Sequence, residues 1–160
     1  AKDKRPAYLR LAREATPIVT TQDTPFEIGK AYVYAPGNDI TIVATGTMTY
    51  QAMVAAHKLY VQGIDAEVIH VPTIKPLDET TILASARKTK HVITVEEAQI
   101  NGGLGGAVAE LLSEKEPVRL KRMGMEDHFG ESGAPDELLE KFGLTAKHIM
   151  LVAHQMVGHK

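Results

Sequence analysis

Two adjacent acidic residues and a glycine-rich segment are the part of this sequence whose residue types could do chemistry. Glu96 and Glu97 stand side by side, and Gly102-Gly103-Leu104-Gly105-Gly106 follows a few positions later. Crowded carboxylates can serve as a general acid and base because their repulsion pushes their pKa values apart. Glycines at the start of a helix can expose backbone N–H groups that bind a phosphate. The segment therefore has three interpretations: an acid-base pair, an anion loop or a place of close packing.

The spacing of the glycines does not fit the nucleotide-binding motifs. The fingerprint G-x-G-x-x-G, counted from Gly103, reaches Val108 at its last position, and the G-K-[ST] ending of a phosphate loop is absent. Adjacent residues of an extended chain point to opposite sides, so Glu96 and Glu97 favour a role in starting a helix and anchoring a loop. A helix N-terminus can still hold an anion, so a ligand role stays open beside packing.

The helix predicted after these glycines has two faces that favour packing. One is an apolar stripe of Leu104, Val108, Leu111 and Leu112. The other is a stripe of small residues, Gly102, Gly106 and Ala109, which would let another backbone approach closely.

A second junction between a strand and a helix lies at Thr45-Gly46-Thr47. Open α/β sheets bind ligands at the carboxyl ends of strands, where successive connections leave in opposite directions. If the strand over 40–44 lies beside the strand over 91–95, both junctions face one crevice. We therefore predict a candidate anion crevice. Its residues are Gly46, Thr47, Glu96, Gly102 and Gly103. Alternatively, Thr45-Gly46-Thr47 is only a short turn that needs glycine.

Arg10 and Arg13 are the other candidates for binding an anion. A guanidinium just past a strand can hold a phosphate with two parallel hydrogen bonds; the alternative is a solvated charge. The seven histidines show no metal-ligand spacing, and we predict no metal site. The serines lack a G-x-S-x-G elbow and there is no cysteine, so hydrolase triads and thiolate nucleophiles have no support.

Length and composition bound the class of protein. With 160 residues, 44% hydrophobic and 24% charged, the chain has the composition of an ordinary globular domain. A net charge of −2 with scattered Lys and Arg gives no basic footprint, so we expect neither nucleic acid nor membrane as a partner. The absence of cysteine and of an apolar run near ~20 residues predicts a cytoplasmic protein.

Short apolar runs alternate with helical patterns from Asp39 onward, which is typical of a layered α/β domain. Asp78 stands at an N-cap position, and Pro135 fits the first position of a later helix. Thr145 opens the last helix. Strands are predicted over 30–34, 40–44, 66–71, 91–95 and 118–123.

The first part of the chain does not fit this alternation. The apolar strand predicted at Ala7 to Leu11 precedes a linker rich in Thr and Pro, from Thr16 to Pro25, and has no evident partner. We therefore predict two parts: residues 1–23 as the tail of a preceding domain with its linker, and residues 24–160 as the main domain.

Four segments taken together resemble the C-terminal domain of transketolase-type thiamine-diphosphate enzymes. They are DITIVATGTMTYQAMVAAHKL, IDAEVIHVPTIKPLD, HVITVEEAQINGGLGGAVAELL and DHFGESGAPDELLEKFGLTAKHI, and the resemblance extends over residues 25–157. RPAYLRLARE resembles the last strand of the pyrimidine-binding domain that precedes it. Within the superfamily, FGESG followed by PDELL is more similar to transketolases and deoxyxylulose-phosphate synthases than to 2-oxo acid dehydrogenase β subunits.

The resemblance implies a three-layer α/β/α fold on a mixed five-stranded sheet of order 1-3-2-4-5, with the first strand antiparallel. It also implies an enzyme that moves a two-carbon ketol unit between sugar phosphates. Thiamine diphosphate and Mg²⁺ would be held by diphosphate-binding and pyrimidine-binding domains, outside this chain. The chain would then be inactive alone and would stabilise and assemble the enzyme, which is expected to be a homo-oligomer.

One functional residue follows from the resemblance. Arg13 matches the arginine that grips the sugar phosphate at the end of the pyrimidine-binding domain, although Glu14 stands where the family often has Gln or Gly. Alternative assignments are a deoxyxylulose-phosphate synthase, the β subunit of a 2-oxo acid dehydrogenase, or a free-standing regulatory module that binds an anion or nucleotide.

Overall fold

The structure, a computed structural model, describes residues 4, 6–12 and 15–158, which form five strands and five helices. The strands are β1 (Tyr32–Ala35), β2 (Ile40–Ala44), β3 (Ala66–His70), β4 (His91–Gln99) and β5 (Arg119–Met125). The helices are α1 (Met48–Val61), α2 (Glu79–Thr89), α3 (Leu104–Lys115), α4 (Pro135–Lys141) and α5 (Ala146–Val157).

All five strands form one sheet of order β1-β3-β2-β4-β5. β1 pairs antiparallel with β3, and the other pairs are parallel. The carboxyl ends of β2, β3 and β4 therefore meet at one edge of the sheet, which we call the carboxyl edge. The sheet order and the antiparallel first strand predicted above are both confirmed.

Alternation along the strands gives the sheet two apolar faces. Ile42 contributes to the core shared with α1 and α5, whereas its neighbour Val43 contributes to the core shared with α2 and α3. Helices on both faces explain why β2 is buried at every position, as is usual for parallel strands inside a sheet. The three-layer α/β/α prediction is confirmed.

Strand β4 is longer than the sequence predicts. It continues past residue 95 to Gln99, because Gln99 pairs with Met125 of β5 and the Ile100 amide donates to the Met125 carbonyl at 2.9 Å. Glu96 and Glu97 therefore lie inside a strand rather than in a loop, and their side chains leave from opposite faces of the sheet.

The predicted strand at residues 7–11 does not form a strand in the described part of the chain. A strand needs a hydrogen-bonded neighbour, and this segment has none among the described residues. Its apolar side chains, Tyr8, Leu9 and Leu11, are exposed instead.

Candidate functional site

The turn between β2 and α1 is held by two threonines on either side of a glycine. The Thr45 hydroxyl donates to the Val71 carbonyl at 2.7 Å, which ties the turn to the end of β3. Gly46 adopts a left-handed conformation with φ of 55°, which favours glycine. The Thr47 hydroxyl donates to the Glu97 carboxylate across the carboxyl edge. Hydrogen bonds therefore hold the turn to the end of β3 and to β4.

Glu96 points away from that turn, into the protein. Its side chain is 2% exposed and accepts hydrogen bonds from two backbone amides at the start of α3, those of Leu104 at 2.9 Å and Gly105 at 2.7 Å. The first amides of a helix have no partner inside the helix, and they carry its positive dipole end. Glu96 supplies both the acceptors and the negative charge that this helix start needs.

The glycine that precedes α3 is required by this contact. A Cβ atom on Gly103 would lie 2.0 Å from Oε2 of Glu96, so the Glu96 carboxylate would have to move away from the two amides that it accepts from. Gly102 before it has φ of 78°, in the left-handed region. The glycines therefore let the chain turn tightly and bring the helix start onto the Glu96 carboxylate.

The next two glycines have different surroundings. A Cβ on Gly105 would lie 2.9 Å from the Thr94 hydroxyl and 3.1 Å from Cδ of Arg122, whereas one on Gly106 would meet nothing within 4 Å. The sequence predicted that another backbone approaches the small-residue stripe, but no backbone among the described residues approaches Gly106. Gly103 and Gly105 are the closely packed glycines, and the atoms packed against them belong to side chains. The apolar stripe of α3 is buried, as predicted.

The residues of the predicted crevice are divided into two groups. Gly46 and Thr47 lie beside Glu97, while Gly102 and Gly103 lie beside Glu96 on the other face of β4. Two amides that an external anion would need at α3 are already donated to Glu96. A diphosphate group does not fit there without displacing that carboxylate. Sequence reasoning missed this partnership because it depends on β4 continuing through Glu96.

The N-terminal segment reaches the same edge of the sheet. Nη2 of Arg10 donates to the backbone carbonyl of Glu97 at 2.5 Å. Arg13, which was predicted to bind a phosphate, lies outside the described residues. Arg10 thus contacts the sheet at Glu97, whose side chain accepts from Thr47.

A further polar group lies at the end of β3, where the sequence assigned no role. Thr49 of α1 and Nδ1 of His70 are 2.8 Å apart, and the rings of His70 and Tyr34 are 5.0 Å apart. Burial lowers the pKa of His70, which holds the imidazole in its neutral form. A shallow pocket of about 210 Å³ opens beside these rings under the linker. Thr20, Thr24 and Phe26 are among its lining residues.

The described residues show neither a metal-binding cluster nor a membrane-spanning helix. They contain no group of three His, Asp or Glu side chains placed to hold a metal ion. No helix in the described ranges is long and apolar enough to cross a bilayer.

The fold and the glycine-rich start of α3 define a known class of domain. The family described as transketolase, C-terminal domain, matches residues 29–149, and the chain belongs to this family. The family consists of parts of thiamine-diphosphate-dependent enzymes.

Individual relatives give a finer comparison. The chain is 48% identical over 155 residues to the 6-deoxy-6-sulfo-D-fructose transketolase subunit SqwH of Clostridium sp. (strain MSTE9), covering 97% of this chain and 48% of that protein. It is 44% identical over 128 residues to the 1-deoxy-D-xylulose-5-phosphate synthase of Desulforudis audaxviator (strain MP104C), covering 79% of this chain and 20% of the synthase.

A solved structure is similar to this chain in both fold and sequence. It is described as a split gene transketolase, an inactive beta4 tetramer, and it superposes with a TM-score of 0.87 at 43% identity. The match covers 91% of this chain and 48% of that one. The chain thus spans about half the length of the SqwH subunit and of the split-gene transketolase chain.

Proposed function

We propose that this chain is the C-terminal portion of a thiamine-diphosphate-dependent transketolase, which moves a two-carbon ketol unit between sugar phosphates. In this role the chain stabilises and assembles the enzyme, and the catalytic centre lies on the diphosphate-binding and pyrimidine-binding domains. The observation that carries the proposal is that nearly the whole chain aligns with half of a transketolase subunit. Residues 1–23 would be the end of the pyrimidine-binding domain, and the complete enzyme would be a cytoplasmic homo-oligomer.

The cofactor belongs to the domains outside this chain. Thiamine diphosphate would supply the electron sink that stabilises the transferred carbanion, and Mg²⁺ would bind its diphosphate. The amides at the start of α3, a helix N-terminus that could otherwise hold an anion, donate to Glu96. The main domain therefore contributes support to the enzyme, through its contacts with the neighbouring domains.

Calorimetry and activity assays test the assignment together. The 160-residue chain should show neither binding of thiamine diphosphate with Mg²⁺ nor ketol transfer, whereas the complete enzyme should show both. Tight, Mg²⁺-dependent binding to the 160-residue chain would contradict the proposal, as would ketol transfer by that chain.

Arg13 is proposed to bind the anionic end of the sugar. In the complete enzyme, Arg13→Ala should raise KM for a phosphorylated acceptor by roughly 10- to 100-fold, the effect of losing one charge-assisted contact. The KM for an unphosphorylated sugar should change little. Arg13→Lys is the matched control, since it keeps the charge but loses the bidentate geometry. Equal effects on the KM values of both substrates would contradict the role of Arg13 in binding the phosphate.

The anionic group need not be a phosphate. The relative with 48% identity is named for a sulfonated sugar, and a sulfonate presents the same tetrahedral oxygens to a guanidinium with less charge. Comparing kcat/KM for 6-phosphorylated and 6-sulfonated fructose as ketose donors in the complete enzyme distinguishes the two substrate classes. Preference for the sulfonate would replace sugar phosphates as the proposed substrates and leave the transketolase class intact.

A deoxyxylulose-phosphate synthase is the second candidate, because one such enzyme is 44% identical over 128 residues. That reaction consumes pyruvate with loss of carbon dioxide, whereas ketol transfer needs a ketose donor. Release of carbon dioxide from pyruvate by the complete enzyme would favour the synthase. A 2-oxo acid dehydrogenase would be identified by acylation of a lipoyl domain.

For the crevice we propose a structural role in preference to an anion site. Thr47 and Gly103 each already contact a carboxylate of the chain. Titration with phosphate or sulfate, followed by the amide resonances of residues 46, 47 and 103–105, should give no saturable shift. A saturable shift would favour the alternative that the chain is a regulatory module that binds an anion.

A further inference from the structure

Strand β4 is irregular where it reaches the carboxyl edge. Its pairing with β5 is regular up to Val95, which lies opposite Met123, and it resumes at Gln99, which lies opposite Met125. Three residues of β4, 96–98, therefore lie opposite one residue of β5. An insertion of this kind is a β-bulge, which leaves the extra residues outside the regular ladder and bends the strand. We call residues 96–98 the β4 bulge.

Gly124 is the β5 residue that faces the β4 bulge. A Cβ atom on Gly124 would lie 2.9 Å from the carbonyl oxygen of Ala98 and 3.3 Å from Cα of Ile100. Both neighbours are backbone atoms, which cannot swing aside as the end of a flexible side chain can. Just after the bulge, Nη1 of Arg122 donates to the Ile100 carbonyl at 2.9 Å. The bulge is therefore closely packed against β5.

The β4 bulge holds the backbone of Glu97 in a fixed place on the carboxyl edge. The preceding residue, Glu96, is anchored by two amides of α3, and the Glu97 carboxylate accepts from the Thr47 hydroxyl. The Glu97 carbonyl lies in the bulge, outside the regular ladder, and accepts from Nη2 of Arg10 at 2.5 Å. The acceptor is thus held by the sheet, while the donor belongs to the N-terminal segment.

We propose that Arg10 and the Glu97 carbonyl position Arg13 for the anionic end of the sugar. Arg13, which lies outside the described residues, follows Arg10 by three positions, and three residues of chain span at most ~11 Å. Holding Arg10 on the bulge therefore restricts where the Arg13 guanidinium can be placed. A substrate-binding group that is misplaced by about 1 Å loses much of its effect. The inference rests on the proposed role of Arg13 and extends it to the main domain.

The character of the contact suits positioning better than stabilisation. The hydrogen bond between Arg10 and Glu97 is exposed to solvent, where such a bond adds little to the stability of a fold. Bulges are also common beside active sites, where they change the direction of a group on the strand. Arg10 is thus a positioning residue, which acts through Arg13 and does not itself touch the sugar. Its loss should change substrate binding and leave the urea midpoint of unfolding unchanged.

Steady-state kinetics of the complete enzyme test the proposal. The anionic donor is 6-phosphorylated or 6-sulfonated fructose, whichever the enzyme uses better, and free fructose is the comparison. Arg10→Ala should raise KM for the anionic donor roughly 5-fold, the effect of weakening one contact with the anion. The kcat, and the KM for free fructose, should stay nearly unchanged. Arg10→Lys keeps a donor for the Glu97 carbonyl and should restore most of the lost affinity.

A double-mutant cycle distinguishes positioning from direct binding. In an Arg13→Ala background, Arg10→Ala should change KM for the anionic donor by less than about 2-fold, because the group that it positions is gone. A rise of roughly 5-fold that persists in that background would make Arg10 a direct ligand of the anion, and the proposal would be wrong. Equal rises in KM for the anionic donor and for free fructose would also overturn it.

Gly124→Ala tests the same connection from the main domain. Its Cβ should displace the Ala98 carbonyl and with it the β4 bulge, so KM for the anionic donor should rise about as much as in Arg10→Ala. Gly106→Ala is the matched control, since its Cβ meets nothing within 4 Å and KM should not change. An unchanged KM in folded Gly124→Ala would exclude the bulge from the positioning of Arg13. If circular dichroism shows that Gly124→Ala does not fold, the cycle of Arg10 and Arg13 decides.

The proposed function and this inference can fail separately. Absence of ketol transfer by the unsubstituted complete enzyme rejects both. Equal effects of Arg13→Ala on the two donors reject the role of Arg13 and this inference, but leave the transketolase class intact. If Arg13→Ala distinguishes the donors and Arg10→Ala leaves KM for the anionic donor unchanged, only the positioning role of Arg10 is rejected.

Discussion

Helices α2 and α3 both begin at a buried carboxylate, but the two carboxylates come from different places. The start of α2 is capped by its own N-cap residue, since Asp78 accepts from the Thr81 amide at 3.1 Å and from the Thr81 hydroxyl at 2.9 Å. The start of α3 has Gly103 at the N-cap, with no side chain to offer. Its acceptor is Glu96, which belongs to the preceding strand.

The difference determines what each carboxylate holds together. Asp78 mainly closes a local turn, with one distant bond to the Ala31 amide. Glu96 joins the middle of β4 to the first turn of α3, so it fixes the angle at which the chain leaves the sheet. A local cap stabilises one helix end, whereas a remote cap also positions the helix on the sheet.

The largest expected effect comes from removing the space that Glu96 occupies. Gly103→Ala places a Cβ on the carboxylate and should lower the free energy of unfolding by about 3 kcal/mol, the cost of an overpacked buried site. Gly106→Ala is the matched control three positions later. It meets open space and should raise stability by about 0.5 kcal/mol through reduced backbone entropy. Urea unfolding of both variants measures the difference.

Opposite signs for the two substitutions are the decisive outcome. If Gly103→Ala is as well tolerated as Gly106→Ala, the Glu96 carboxylate does not lie against this backbone, and the remote cap is wrong. The start of α3 would then be open to an external anion.

The next effect distinguishes the two adjacent carboxylates. Glu96→Gln replaces one acceptor oxygen by an N–H donor that faces the helix amides, and it should cost about 2 kcal/mol. Glu97→Gln keeps an oxygen for the Thr47 hydroxyl at an exposed position and should change stability by less than ~0.5 kcal/mol. Thermal or urea unfolding at pH 7 compares them. Equal losses would mean that the two residues share one site.

Much of the fold was predictable because its signals are local. The buried run at Ile40 to Ala44, the N-cap at Asp78 and the Pro135 helix start each depend on neighbouring residues, and each is confirmed. The sheet order came instead from the resemblance to a family. Local patterns could not supply it, because strand order is set by packing between distant segments.

The candidate site was less predictable for the same reason. Nothing near Gly103 in the sequence shows that its neighbour is Glu96, since the contact requires β4 to continue to Gln99 and pair with Met125. The role of His70 was missed because its partners, Thr49 and Tyr34, come from other elements. Side chains that act across elements leave no fixed spacing in the sequence.

The smaller of the two cap losses is expected at the local cap. Asp78→Asn keeps an acceptor for the Thr81 amide but loses the charge, and it should cost about 1 kcal/mol at pH 7. Burial alone would raise the pKa of Asp78. The hydrogen bonds from Ala31 and Thr81 outweigh it, and the pKa lies below its ordinary value of 3.8. The unfolded chain therefore binds this proton more readily, and the stabilisation present above pH ~3.8 is lost as pH falls through the folded-state pKa.

Urea unfolding between pH 8 and pH 2.5 separates this loss from that of His70. The pKa of His70 is also lowered, from an ordinary value of 6.5, so stability should begin to fall below pH ~6.5 as the unfolded chain takes up that proton first. Asp78→Asn should flatten the decline below pH ~3.8 and leave the decline below pH ~6.5 unchanged, because the two groups lie at different ends of the connection from β3 to α2. If the stability of the variant instead falls below pH ~3.8 as steeply as that of the unsubstituted chain, Asp78 is not a charged cap in the folded protein. The contrast between a local cap at Asp78 and a remote cap at Glu96 would then be wrong.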